Sequence, residues 1–369
     1  MARRAVLSYA QAEMNPAQEA LHDALSRVID PEIRKPVTEL DMVRGIAVDG
    51  GAVIVTIALT VVGCPLRNSF QEQVAREVGA VPGVTSVKLE FDVMSPDERA
   101  ALTTKLRGGR PAEDRTIQLD PTTRVIAVAS GKGGVGKSSL TVNLAAALSQ
   151  LGHKAGVLDA DVYGHSIPHM LDIRQKPVLV DRLMIPPVKH DLKLMSIGFF
   201  LDDNQPVMWR GPMLHKALEQ FLQDVHWGDL DVLVVDMPPG TGDVSISLGQ
   251  LLPRAEAVVV TTPQPLAQEV AVRAAEMALK TGMRLLGVIE NMTSEVFGSG
   301  GGERLALQLD VPFLGSVPLD VRMRQSAELG VPLVLSDPES EPAAVIFEIA
   351  RALDASRSGG FTRTLPLVS

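Results

Sequence analysis

Residues 124–151 read RVIAVASGKGGVGKSSLTVNLAAALSQL. A β-branched run, RVIAVAS, leads directly into Gly131-Lys132-Gly133-Gly134-Val135-Gly136-Lys137-Ser138, and a stretch of good helix formers follows. The middle satisfies G-x-x-x-x-G-K-[ST], a loop whose glycines let backbone N–H groups wrap a phosphate while the next helix turns its positive end toward the same charge. The pattern carries weight only between a strand and a helix, and both are present here. The residues read as nucleotide-binding are therefore Gly131, Lys132, Gly133, Gly134, Val135, Gly136, Lys137, Ser138 and Ser139. Lys137 is expected on the β- and γ-phosphates and Ser138 on Mg2+. The competing account is a glycine-rich turn that matches by chance, which the flanking strand and helix disfavour.

Downstream the same grammar repeats. The runs KAGVLDA, LKLMSIG, DVLVVDM, EAVVVTT, RLLGVIEN and VPFLGSVPL alternate with the helical stretches PMLHKALEQFLQD, PLAQEVAVRAAEMALKTG and GGERLALQLD. Continuous apolar runs of this kind are buried parallel strands with helices on both faces. The expectation is an α/β fold with a doubly wound, mostly parallel sheet over residues 124–369. Carboxylates at strand ends sit at the edge of such a sheet where ligands bind. Asp159 and Asp161 end one run and Asp236 ends another. Asp236 is placed to reach the Mg2+ shell. The loop Pro238-Pro239-Gly240-Thr241-Gly242 is stiff and then flexible, suited to sensing a terminal phosphate.

Residues 1–107 read as a small α+β domain. PAQEALHDALSRVID has helical spacing, GIAVDGGAVIVTIALT reads as two strands around Gly50-Gly51, and SFQEQVAREVGAVPG as a helix ending near Gly79. VTSVKLEFDV is a further strand, and Ser95-Pro96 opens a short charged helix. Residues 108–123, rich in Gly and Pro, read as a linker.

Composition narrows the function. Lys and Arg number 35 against 44 acids, a net charge of −9, and aromatics are 4%. That opposes a nucleic-acid partner, which wants a basic face or stacking rings. There is no apolar segment long enough to span a bilayer and no leader-like apolar region, so the expected location is the cytoplasm without a stable membrane anchor. One cysteine, Cys64, excludes an intrachain disulfide and a four-cysteine metal site within one chain. His165 and His169 have a weak metal spacing and are read as polar loop residues.

Several neighbourhoods go beyond the loop. Lys132 after the first glycine resembles the signature lysine of the deviant Walker A group, the MinD/Mrp/ParA-like ATPases. Asp161-Val-Tyr-Gly-His-Ser-Ile-Pro168, Val207-Met-Trp-Arg-Gly-Pro-Met213, Asp236-Met-Pro-Pro-Gly-Thr-Gly-Asp243, Phe297-Gly-Ser-Gly-Gly-Gly-Glu303 and Gly315-Ser-Val-Pro-Leu-Asp320 closely resemble the Mrp (ApbC) family. Asp30-Pro31-Glu32-Ile33 and Leu59-Thr-Val-Val-Gly-Cys-Pro-Leu66 resemble the small domain often fused ahead of it. The resemblance implies a P-loop NTPase domain and an ATP-hydrolysing homodimer that carries or assembles iron–sulfur clusters. Its cofactors would be ATP and Mg2+, and its partners assembly factors or apo-client proteins. It implies slow hydrolysis, with Lys132, Lys137 and Asp161 as catalytic residues. Lys132 would reach the partner's nucleotide in trans, Asp161 would hold the attacking water, and Asn291 would contact adenine.

One departure stands out. The family holds its bridging cluster with a C-x-x-C pair from each subunit, placed between the positions of Met292 and Phe297. This chain has Thr293-Ser-Glu-Val296 there. Cys64, expected at a helix start that lowers a thiol's pKa, is the remaining candidate thiol ligand; a small buried residue in a tight turn is the alternative. Two other functions therefore stay open: a nucleotide-switched scaffold without a cluster, and a MinD-like membrane or positioning ATPase. The latter wants a basic amphipathic C-terminal helix, which EPAAVIFEIARALDASR does not provide.

Overall fold

The computed structural model describes residues 16–61, 66–110, 116–117, 119–162, 164–201, 211–252 and 254–356. Cys64, Tyr163 and residues 207–210 lie outside the described residues. The described residues fall into two compact units: one within the range Met1–Gln118 together with Val178–Pro186 and Asp224–Gly228, the other within Leu119–Pro177, Pro187–Gln223 and Asp229–Ser369.

The smaller unit is α+β. Its three-stranded sheet has Ala52–Leu59 in the centre, antiparallel to Val43–Asp49 and parallel to Ser86–Val93. Gly50 takes φ +59 in the turn between the first two strands, a conformation that suits glycine. The helices Pro16–Leu25, Arg67–Gly79 and Pro96–Leu106 complete the unit. Leu21, Leu25, Val28, Val55, Ile57, Phe70 and Val74 form its buried core. The Asp30-Pro31-Glu32-Ile33 motif is a side-chain-capped turn: Asp30 Oδ1 accepts from the N–H groups of Glu32 and Ile33, both at 2.9 Å.

Residues 178–186 and 224–228 fall within the stretch read from sequence as the larger domain, yet they pack with this unit. The hairpin of Val178–Val180 and Leu183–Ile185 adds Val180, Leu183 and Ile185 to the same core. Thr103 Oγ1 donates to Val180 O at 3.0 Å, and the buried Arg107 pairs with Asp224 at 3.1 Å. Apolar burial and these polar ties explain why a segment remote in sequence joins the N-terminal core.

The larger unit is a doubly wound α/β domain. Its sheet has eight strands in the order Phe313–Pro318, Arg284–Thr293, Glu256–Thr261, Arg124–Ser130, Val232–Asp236, Ala155–Asp159, Leu192–Ser196 and Val188–Lys189. Every neighbouring pair is parallel except the last, which is antiparallel. The central strands are buried on both faces, as their continuous apolar runs require. Lys137–Gln150 follows the strand Arg124–Ser130; its residues Leu140 to Leu148 are all buried. The helices Gly211–Gln223, Pro265–Lys280 and Gly301–Leu309 stand where their periodicity placed them. Among the described residues no helix is long and apolar enough to cross a membrane.

Candidate functional site

The site grows from strand register. Asp236 pairs with Asp159 across adjacent parallel strands, and Asp159 pairs in turn with Ser196. Three polar side chains are thereby lined up at the carboxyl edge of an otherwise apolar sheet. The phosphate loop leaves the neighbouring strand at the same edge, with Ser130 buried beneath it. Gly131 has a steric reason to be glycine: a Cβ there would lie 2.2 Å from the backbone carbon of Val270, on the helix Pro265–Lys280. Gly134 and Gly136 take φ +81 and +80, which turns successive N–H groups inward as an anion-binding concavity.

A cavity of about 370 Å³ lies under this loop. It is lined by Lys132, Gly133, Gly134, Gly136, Lys137, Ser138, Ser139 and Asp161, together with Gly164, Ser166 and Pro239. Lys137 is the centre of charge. Its Nζ is 2.7 Å from Asp236 Oδ1 and 3.6 Å from Asp161 Oδ2. Ser138 Oγ donates to Asp236 Oδ2 at 2.6 Å, and Thr141 Oγ1 donates to Oδ1 at 2.9 Å. Asp236 is fully buried, which pushes its carboxyl up, opposed by the Lys137 ammonium and these two hydroxyls. Asp159 is also fully buried, and burial together with the Asp236 charge pushes it up to about 8. Ser196 Oγ donates to it at 2.8 Å, and it accepts the Asp161 N–H at 3.2 Å. Asp161 is held by the Gly164 N–H at 3.0 Å and faces the cavity. Lys132 lines the cavity with no ion-pair partner among the described residues. Pro238–Gly242 is tied to the loop by Gly240 N donating to Ser130 O at 2.8 Å.

The sequence therefore assembled Lys132, Lys137, Ser138, Ser139 and Asp161 around one cavity, with Asp236 directly behind them. Asn291, expected on adenine, is buried, is not among the residues lining this cavity, and donates through Nδ2 to Val135 O at 2.8 Å. Val135, itself a loop residue, is likewise buried. His165 Nδ1 lies 3.2 Å from Val162 O, and among the described residues no group of three or more His, Cys, Asp or Glu could hold a metal ion. Cys64, the candidate thiol, falls outside the described residues. Thr141 and Ser196 were missed. Thr141 stands one helical turn after Lys137 on the same face, a spacing that could have found it; Ser196 needed the strand register.

The comparisons with known proteins follow this geometry. Residues 121–354 match the profile of a NUBPL iron-transfer P-loop NTPase family, and residues 18–89 match an iron–sulfur cluster assembly protein family. A protein of Mycobacterium tuberculosis named iron–sulfur cluster carrier protein is 50% identical over 357 residues, covering 92% of this chain and 94% of its own length. The chain belongs to the iron-transfer P-loop NTPase family. Family membership accords with the solved structures it resembles. A nucleotide-binding protein of Archaeoglobus fulgidus, in complex with ADP, is 36% identical with a TM-score of 0.50, covering 56% of this chain and 86% of its own. The septum site-determining protein MinD of Pyrococcus horikoshii, in complex with Mg-ADP, is 25% identical with a TM-score of 0.50, covering 64% and 98%.

Proposed function

We propose that this family member binds and slowly hydrolyses ATP as a homodimer and uses that cycle in iron–sulfur cluster carriage or assembly, delivering to assembly factors or apo-clients. The observation that carries the reading is the convergence of Lys137, Ser138, Asp161 and Asp236 on one cavity under a glycine-rich loop. Lys137 is a buried cation with two carboxylates to leave when a polyphosphate arrives. The backbone N–H groups of the loop and the first turn of the following helix supply the rest of the anion site. Ser138 and Asp236 offer a hydroxyl and a carboxylate side by side, the hard oxygen donors that Mg2+ takes. When bound there, Mg2+ would neutralise charge on the β- and γ-phosphates. Asp161, positioned by Gly164, is the group we assign to orient water. Lys132, which has no ion-pair partner among the described residues, is the cation we assign to the partner's nucleotide, by the logic of an arginine finger.

ATP binding and turnover of three proteins test this. Lys137→Ala is expected to bind no ATP, and Lys132→Ala to bind but not turn over. Normal hydrolysis by both would sink the assignment.

The cysteine count favours a second reading. One cysteine per chain gives two per dimer, short of the four thiolates a four-iron cluster takes. In this reading the chain keeps the nucleotide switch and acts as a scaffold. Iron and sulfide per dimer after anaerobic reconstitution of wild type and Cys64→Ala separates the two. A stable cluster lost in the variant supports carriage with Cys64 as ligand, and no cluster in wild type supports the scaffold.

A further inference from the structure

One side chain holds the Val135–Gly136 peptide in a single orientation. Asn291 Nδ2 donates to Val135 O at 2.8 Å, and Asn291 is 5% exposed. The peptide is trans, so its C=O and the next N–H point in opposite directions. A Val135 carbonyl turned down onto Asn291 thus turns the Gly136 N–H toward the cavity that Gly136 lines. Among the described residues no backbone donor competes for that carbonyl: the first amide of the following helix to find a backbone acceptor is Leu140 N, onto Gly136 O at 3.0 Å. Gly136 makes the loop adaptable, because glycine takes φ of either sign without penalty. Without a donor beneath it, the same peptide is free to turn its carbonyl toward an incoming phosphate, where it repels instead of binding.

The holder is itself held. A Cβ on Gly136 would fall 2.2 Å from Asn291 Nδ2 and 3.2 Å from Met292 Cε, so these two side chains fill the space below the loop. Met292 takes φ +62, a conformation rare for a side chain of its size, and the pairing with Phe313–Pro318 shifts register between Asn291 and Thr293. This is a bulge, a device that re-aims side chains at a strand end. On the other side of Asn291, Glu290 is buried and accepts from Gly300 N at 3.0 Å, Gly302 N at 2.9 Å and Ser316 Oγ at 3.1 Å. The strand end cannot swing without breaking those bonds.

We propose that Asn291 is a positioning residue of the phosphate loop. It fixes the Val135–Gly136 peptide with its N–H toward the polyphosphate, and Glu290 and the Met292 bulge keep it in place. This rests on the reading of the cavity as a nucleotide site. The chemistry it serves is the phosphate chain, whatever base is attached.

Calorimetric titration of ATP, GTP and inorganic tripolyphosphate, with Mg2+, into wild type, Asn291→Asp and Asn291→Ala tests it. Aspartate keeps the shape of asparagine but, ionised, offers no hydrogen to the carbonyl. Both variants are expected to weaken all ligands that bind wild type by a similar factor, about tenfold to a hundredfold, the worth of one hydrogen bond to a charged group. A ligand-free crystal structure of Asn291→Asp is expected to show the Val135 carbonyl turned into the cavity. Weakening confined to ATP, or an unmoved peptide with unaltered affinities, would overturn the proposal. Wild type failing to bind ATP would instead remove the nucleotide reading, and the proposal with it. Should Asn291→Asp not fold, Asn291→Ala carries both the titration and the structure, since it removes the donor without adding a charge.

Discussion

Gly131 and Gly133 occupy the same motif and do different work. Gly131 has the backbone of Val270 and Ala271 against the position of its missing Cβ, at 2.2 to 2.4 Å. Gly133 has nothing within 4 Å and no positive φ. Backbone cannot step aside as a flexible side chain can. Gly131→Ala is therefore expected to lower the stability of the nucleotide-free protein by about 2 kcal/mol or more, the range of overpacking. Gly133→Ala should leave it within about 0.5 kcal/mol, and any loss of ATP affinity would then report contact with the phosphate itself. Thermal unfolding followed by ATP titration reads both effects. Equal melting temperatures for the two variants would contradict the packing account. The loop that the motif spans contains both glycines, and that much was legible from sequence because spacing is local. It could not say which of them a remote helix touches. The same limit applies to Asn291: its place at a strand end was legible, but the carbonyl it serves is 156 residues away in the chain.

Helix Pro96–Leu106 shows what local chemistry fixes without help from the rest of the fold. Ser95 and Glu98 form a capping box: Ser95 Oγ accepts the Glu98 N–H at 3.3 Å, and Glu98 Oε2 accepts the Ser95 N–H at 2.6 Å. Ser95→Ala is expected to destabilise the smaller unit by about 1 kcal/mol. The Ser95 backbone and hydroxyl groups hold Glu98 below its ordinary value of 4.5. A carboxylate lowered by folding contributes its stability above the unfolded-state pKa and loses it as pH falls through the folded-state value. The gap in melting temperature between wild type and Glu98→Gln should thus be full at neutral pH and close below about pH 4. A gap that stays constant through that window would show that the charge is irrelevant. This helix start was readable because its signals lie within four residues. The seven apolar runs read as strands were equally legible: those in the middle of the sheet are buried on both faces and therefore continuous, while the edge strand Phe313–Pro318 keeps an apolar run though it is largely half-buried. The hairpin Val178–Ile185 was not: its strands are three residues each, too short to show a period, and its core partners lie in the N-terminal unit. Val321–Leu329 hid for a related reason, since it buries only Ser326 and so carries little apolar patterning.

At the scale of the whole molecule, the decisive matter is whether one chain suffices for turnover. Lys137 and Asp161 approach the same cavity from one chain, 3.6 Å apart, whereas among the described residues Lys132 has no carboxylate to neutralise. A cation that lines a phosphate site without a carboxylate among the described residues has work to do only if charge comes to it. The proposed dimer brings that charge from the partner's nucleotide, and complementation tests it directly. Lys132→Ala and Asp161→Asn should each be inactive alone. Mixed before ATP is added, they form a dimer in which the Lys132→Ala subunit keeps its own Asp161 and receives an intact Lys132 from its neighbour. Equal amounts should recover about one quarter of the wild-type rate, because random pairing makes half of the dimers mixed and each of those has one complete site. A mixture as inactive as its components would mean that Lys132 acts within its own chain, or that the chain turns over without pairing. In either case the trans assignment falls while the phosphate site built by Lys137, Ser138 and Asp236 is untouched, since those three side chains already meet inside a single subunit.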